Sequence, residues 1–429
     1  MYLATLYHAL MSENKTNSLI LQGYRVLDLT DAKGFLCGRI LGDMGCDVIK
    51  IEKPGGDPSR GIGPFYRDIP DPEKSLYWFT YNANKRGITL NLESNDGQKI
   101  FKKLVERAHF VIESFPPGHM DNLGIGYFSL SQINPAIILT SITPFGQTGP
   151  YSHYKASDIV EMGMCGLMYL CGDPDRPPVR ISFPQAYLHA GADAVVGTLM
   201  AHYYRESSGQ GQWVDVSVQQ STYMGTMNAP PFWELERRIL KRAGIRRTGL
   251  TAGTLQRQIW ECRDGYVNMP VYGGEVGIRT NRALAKWMDE EGMADDFLRQ
   301  IDWDHFDMAK VDQETWDNME GLMQRFFLNH TKEELYNKGL ALGAMIYPVS
   351  SPQDIAVSLQ LQARKYWVQV EHPELRETIT YPGVAVKASL TPLGIRRRAP
   401  LIGEHNQEIY KELGLSEEEI ANLEREGII

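Results

Sequence analysis

Short apolar runs rich in β-branched residues alternate with amphipathic segments through the first third of the chain, and this alternation limits the folds open to it. Tyr24–Thr30 (YRVLDLT) reads as a strand, and Gly34–Gly45 has helical apolar spacing and ends on glycine. Cys46–Glu52 is a second apolar run, closed by Lys53-Pro54-Gly55-Gly56. Such a unit makes two parallel strands joined by a crossover helix. The pattern continues: Ile88–Glu93 reads as a short strand, Asp96–Ala108 as an amphipathic helix, and His109–Phe115 as a strand ending at Pro116-Pro117-Gly118. Ala136–Gly146 is a further strand running into a Gly/Pro-rich loop. The expected fold is α/β with an open, doubly wound sheet. Ligands on such sheets bind beyond the carboxyl ends of the strands. Those ends are Thr30-Asp31-Ala32-Lys33, Lys53-Pro54-Gly55-Gly56, Ser114-Phe115-Pro116 and Thr143-Pro144-Phe145-Gly146. The first turn holds no GxGxxG, which argues against a nicotinamide dinucleotide site.

The middle of the chain is mostly helical. Ala186–Tyr204 reads as a long helix of small residues suited to close packing, followed by a turn and a strand over Trp213–Val218. Between Pro230 and Thr254 lie Arg237, Arg238, Lys241, Arg242, Arg246 and Arg247, read as a solvated charged face, with a loop over an acidic ligand as the alternative. From Ile259 to about Thr331 the composition changes, with Trp and Asp frequent and short helices such as Arg282–Met293. The expected organisation is an N-terminal extension (1–20), a first part of the large α/β domain (21–228), a small domain (229–335), and a return segment (336–429). Ser416 and Glu419 fit the capping box of a final helix.

A chain of 429 residues exceeds one compact core, so two domains are expected, and 43% hydrophobic residues are enough to fill them. The net charge of −9 with no basic stripe argues against a nucleic-acid partner. Five cysteines, an odd number without a CxxC pair, argue against a disulfide framework and a structural zinc site, and point to free thiols in a reducing cytoplasm. The N-terminus lacks the basic region and cleavage site of a signal peptide, and Met11 is an alternative start. No run approaches the ~20 apolar residues of a membrane helix.

Eight segments together resemble the class III (CaiB/BaiF-type) coenzyme A transferases in order and spacing: Gly23–Thr30, Gly42–Arg60, Asn82–Glu93, Val111–Tyr127, Ile133–Tyr151, Ser157–Met168, Gly209–Ser221 and Arg396–Ile429. The resemblance implies a large Rossmann-like domain built from both chain ends, a smaller inserted domain, and two chains interlocked like links. One departure is local: where the family commonly has Ala-Gly-Pro, this chain has Gly34-Phe35-Leu36 and is one residue shorter. The implied activity is transfer of CoA between two carboxylic acids, with CoA thioesters as substrates and no metal or redox cofactor. An aspartate attacks the acyl-CoA, and an acyl–aspartyl anhydride and then an aspartyl-CoA thioester follow. Backbone N–H groups stabilise the oxyanions.

The family's nucleophile opens a helix in a pattern matched here by Ala186–Gly197, and the Gly211-Gln212 turn fixes the register. That register puts Tyr187 where the family has its aspartate. A phenol, with an ordinary pKa of about 10, cannot form the anhydride relay. A slip of one residue meets Ala186 or Leu188, and Asp193 lies on another part of the helix. The resemblance also assigns Lys53, Leu90, Ser114 and Phe115 to CoA contacts, although Leu90 and Phe115 read equally as core and Lys53 as surface. Two family cations are missing: Glu93 stands where a lysine near the adenosine phosphate is common, and Asn122 where an arginine is. The racemase branch's His–Asp pair is absent, because Ser157 precedes Asp158. Asp158 reads as a helix cap or an interchain hydrogen bond, and as the fallback catalytic residue. His189 reads as a helix-face residue.

Three readings stay open. The first is a non-catalytic subunit of a heteromeric transferase, resembling the succinyl-CoA:benzylsuccinate type, whose paralogous partner carries the aspartate. The second is a homodimeric transferase, or a CoA-ester isomerase or racemase, with a displaced nucleophile such as Asp158 or Glu161. The third is a regulatory scaffold without turnover. Acyl specificity is expected from the small domain and glycine-bearing loops such as Val271-Tyr272-Gly273-Gly274.

Overall fold

The computed structural model describes residues 19–248, 254–271 and 273–429. All but the last two residues of the expected N-terminal extension lie outside this range, as do residues 249–253 of the basic stretch and Tyr272 of the glycine-bearing loop. The chain divides into two compact units. One comprises residues up to 167, 181–227 and 360–429; the other comprises 168–180 and 228–359.

The larger unit is built on a six-stranded, wholly parallel sheet. Its strands are β1 (Arg25–Leu29), β2 (Asp47–Glu52), β3 (Lys85–Thr89), β4 (Phe110–Glu113), β5 (Ile138–Thr143) and β6 (Trp213–Ser217), in the spatial order β3-β2-β1-β4-β5-β6. The order reverses between β1 and β4, and crevices for ligands open at such a point. Strands β1 to β5 are buried almost throughout, as expected of a parallel sheet covered on both faces. The flanking helices are α1 (Phe35–Asp43), α2 (Leu76–Asn82), α3 (Asn95–Val105), α4 (His119–Asn122), α5 (Tyr127–Ile133), α6 (Asp158–Met164), α7 (Ala186–Ser208) and α8 (Val218–Tyr223).

The sheet is not purely apolar. Lys85 and Asp28 form a fully buried ion pair across β3 and β1 at 2.8 Å, and the lysine also donates to Asn82 Oδ1 and the carbonyl of Phe35. Such pairs displace β3 from the expected Ile88–Glu93. Lys85 and Arg86 are strand residues held by carboxylates, whereas Asn91–Glu93 turn away towards the Ser94 cap of α3. The exposed edge of β3 is covered by the returning C-terminal segment. Asn406 Oδ1 accepts the N–H of Thr89, the Tyr410 hydroxyl donates to the carbonyl of Thr89, and Asn91 donates to the carbonyl of Ile428. The final helix has the expected capping box, with Ser416 and Glu419 each accepting the other's backbone N–H.

The smaller unit has its own core of Trp260, Trp287, Trp316, Phe326 and Phe327, under a three-stranded antiparallel sheet and the helices Gly274–Glu290 and Gln313–Leu328. It extends past the expected end at 335 because Tyr347–Pro348 pairs with Val267 and Asn268. The helix expected at Arg282–Met293 begins two turns earlier, at Gly274. In the basic stretch, Arg246–Thr248 pairs antiparallel with Leu255–Arg257, while Arg237 and Arg238 stay exposed beside Glu234 and Glu236.

Candidate functional site

A cleft of about 420 Å³ lies at the carboxyl ends of β1 to β4. Its floor is set by the turn after β2. Glu52 is buried and takes a bidentate pair of bonds from Arg60, at 2.7 Å each, and accepts the N–H of Asp57. The Arg60 guanidinium lies 3.8 Å from the ring centre of Trp78 and donates to the carbonyl of Pro400. This clamp holds the Lys53-Pro54-Gly55-Gly56 turn, where both glycines have left-handed backbone (φ 90° and 94°).

Lys53, Leu90, Ser114 and Phe115 all line this one cleft. Their side chains are differently engaged. Lys53 is exposed, whereas Leu90 belongs to the main core cluster and Phe115 packs against it. The Ser114 hydroxyl bridges β4 to β1, donating to Asp31 Oδ1 at 2.9 Å and accepting the N–H of Asp31 at 2.8 Å. Glu93 is on the rim, its carboxylate 3.5 Å from His119 Nε2, and the His119 ring packs on Phe115 with centroids 4.7 Å apart. Asn122 sits on α4 outside the lining. His119 and Asp31 are lining residues not named as site residues from the sequence. The Pro-Pro-Gly turn that aims α4 at the cleft is the local signal that could have found His119.

Beside the cleft, the start of α7 presents Tyr187. Gly191 lets α7 lie against α1, because a Cβ there would stand 2.8 Å from Cβ of Leu36. Asp158 opens α6, yet its Oδ1 accepts the N–H groups of Gln185 and Ala186, both at 2.8 Å, so it caps α7. It therefore fixes the turn that carries Tyr187. Burial, and then the charges of Asp31, Asp158 and Glu161, push the Tyr187 phenol up to about 12. Burial, followed by Tyr81 and Tyr187, raises the neighbouring Tyr77 as well. His189 is half-buried and Asp193 exposed on the same helix.

Two further carboxyls are buried here. Glu161, one turn after Asp158 on α6, has neither oxygen hydrogen-bonded. Burial and then Asp158 raise it to about 7. Glu113 closes β4, where burial lifts it to about 7 against the opposing effect of bonds from Ser141 and the Phe115 N–H. A half-buried tyrosine with its proton held this firmly can donate a hydrogen bond. Among the described residues, no group of three or more His, Cys, Asp or Glu side chains is arranged to hold a metal ion.

The sequence profile of CoA-transferase family III matches residues 21–406. The chain is 35% identical over 414 residues to the succinyl-CoA:(R)-benzylsuccinate CoA-transferase subunit BbsE of Thauera aromatica, covering 95% of this chain and 97% of that protein. It is 29% identical over 423 residues to the succinyl-CoA–L-malate CoA-transferase beta subunit of Chloroflexus aurantiacus, covering 97% and 100% of the two chains. A crystal structure of a CaiB/BaiF family protein from Brucella suis superimposes with a TM-score of 0.79 at 27% identity, covering 94% of this chain and 100% of that one. The parallel sheet, the cleft at its switch point and these similarities agree: the chain belongs to CoA-transferase family III.

Proposed function

We propose that this chain is the supporting subunit of a heteromeric CoA-transferase acting on succinyl-CoA and an aromatic succinate, and that a paralogous partner chain carries the nucleophilic aspartate. The observation that supports this reading is Tyr187 at the first turn of α7 with its phenol held in the protonated form, at the position that the sequence resemblance assigns to the family's nucleophile. Asp158, the fallback, has one carboxylate oxygen engaged in capping α7. Glu93 on the cleft rim and Asn122 on α4 leave Lys53 as the one lysine or arginine lining the described cleft, which weakens the attraction for a polyanion such as CoA. Two relatives bear names that describe them as subunits, which supports an assembly of unlike chains. The outer faces of α6 and α7 expose Ile159, Met164, Val196, Met200 and Tyr203, an apolar surface that an interlocked second chain would cover.

The test is to purify the chain alone and together with whatever co-purifies from its native host. Native mass spectrometry is expected to show a second, unlike chain. The isolated chain is expected to show no transfer from succinyl-CoA to benzylsuccinate, and the assembly robust transfer. Full activity of the isolated chain would refute the reading.

A further inference from the structure

Arg396, Arg397 and His405 take no part in the cleft or in the chemistry above. They lie near the amino ends of β2 and β3, whereas the cleft opens at the carboxyl ends. All three line a cavity of about 480 Å³ between their segment and the hairpin strand Trp367–His372. A second cavity, of about 500 Å³, reaches Asp47 and Arg86 and shares Arg396 and Arg397 with the first. The segment is firmly held. Asn84 Oδ1 accepts the N–H groups of Arg396 and Arg397, at 2.6 and 3.2 Å, and the Asn84 N–H donates to the carbonyl of Arg397. His405 is fixed on the edge of β3. Its N–H donates to the carbonyl of Gly87 at 2.9 Å, and its ring Nδ1 accepts the Gly87 N–H at 3.1 Å.

The bond from Gly87 decides the tautomer. A backbone N–H only donates, so Nδ1 is unprotonated and Nε2 carries the ring hydrogen. Arg397 Nη1 stands 3.4 Å from that Nε2. A guanidinium has donors only, so two donors face each other without an acceptor between them. The neighbouring carboxylates are engaged elsewhere: Glu404 is held by Arg398 and Glu408 by Arg86. Arg396 donates to the carbonyls of Gly42 and Asp43 at the end of α1. Among the described residues, Arg397 forms no ion pair with a carboxylate. An oxygen at an ordinary distance of about 2.9 Å from both nitrogens would satisfy the two donors, and the rest of the Arg397 fork suits a second oxygen of the same group. The walls set the charge of that group. Three guanidiniums, Arg396 to Arg398, and two carboxylates, Glu371 and Glu404, line the first cavity, a surplus of one positive charge. One carboxylate is balanced there, whereas a polyphosphate is not.

We propose that Arg397 and His405 form a second ligand site, remote from the cleft, that takes the carboxylate of a small organic acid between the guanidinium and the ring Nε2–H. The two cavities that meet at Arg397 leave room for the body of the acid. The site does not depend on which chain holds the nucleophile.

The experiment is histidine-selective nitrogen-15 NMR on the full-length chain, with the His405 signal assigned by its loss in His405→Asn, which keeps an acceptor for Gly87. The ring is expected to carry its proton on Nε2. Acetate, succinate and inorganic phosphate are then titrated separately. Acetate or succinate is expected to shift the Nε2–H signal saturably, and phosphate to bind at least about threefold more weakly than the better acid. Affinity for that acid is expected to fall at least about tenfold in Arg397→Gln. It should also fall in Arg397→Lys, which keeps the charge and loses the fork. The Arg397 side chain is exposed, so the unfolding temperature of both variants should match the wild type, which separates lost binding from lost folding. The proposal is overturned if the proton sits on Nδ1, if neither acid gives a saturable shift, if phosphate binds more tightly than both acids, or if Arg397→Gln and Arg397→Lys bind like the wild type.

Discussion

Single residues carry the energetics that the fold and the site share. Lys85 and Asp28 are both fully buried, so removing one partner strands the other's charge. Lys85→Ala is therefore expected to cost ~3–5 kcal/mol in denaturant unfolding, unlike the small effects typical of exposed ion pairs such as Lys99–Asp96. Glu113 acts in the opposite sense. Its folded pKa, about 7, lies above its unfolded value, so the folded state keeps a proton that the unfolded chain releases. The stability it contributes is fully present below the unfolded pKa and is lost as pH rises to about 7. Subtracting the stability of Glu113→Gln from that of the wild type across pH 4.5–7.5 should give a difference that declines over this window; a flat difference would show that Glu113 does not hold its proton in the fold.

Elements explain why the site sits where it does. The carboxyl ends of β1 to β4 converge on the cleft, and the Arg60–Glu52 clamp fixes the turn that forms its floor. Changing rim charge should change CoA binding without changing the fold. Glu93→Lys with Asn122→Arg is expected to tighten CoA by at least about fivefold in calorimetry, an effect that shrinks with added salt. Unchanged affinity would mean that rim charge does not govern this cleft. Helix α7 depends on close approach. Gly191→Val places new atoms against Leu36 and Cys37 and is expected to cost about 1–3 kcal/mol, read as a lower unfolding temperature.

At the scale of the whole molecule, what was legible in the sequence depended on how local the causes are. The β1–α1–β2 unit and the final capping box were readable because periodicity and short-range spacing produce them. Strand β3 was displaced because Lys85 and Arg86 read as exterior residues, while their partners Asp28 and Asp47 stand far away in sequence. Lys53, Leu90, Ser114 and Phe115, which the resemblance assigns to CoA, line one cleft because motif order preserves which strand ends carry them. The capping of α7 by Asp158 spans 27 and 28 residues, and the unpartnered state of Glu161 depends on what surrounds it in space, so neither leaves a local signal. The smaller unit takes in 168–180 and runs to Leu359 through contacts that no composition change marks.

In the proposed division of labour, CoA transfer runs through a partner's aspartate and not through a carboxylate of this chain. The test is to incubate the native assembly with succinyl-CoA, trap any covalent thioester between an enzyme carboxyl and CoA with hydroxylamine or borohydride, and map the modified peptide by mass spectrometry. Modification is expected to be confined to one aspartate of the partner chain, with the peptides of this chain that contain Asp158, Glu161 and Tyr187 unmodified. Modification of Asp158 or Glu161 in this chain would contradict it.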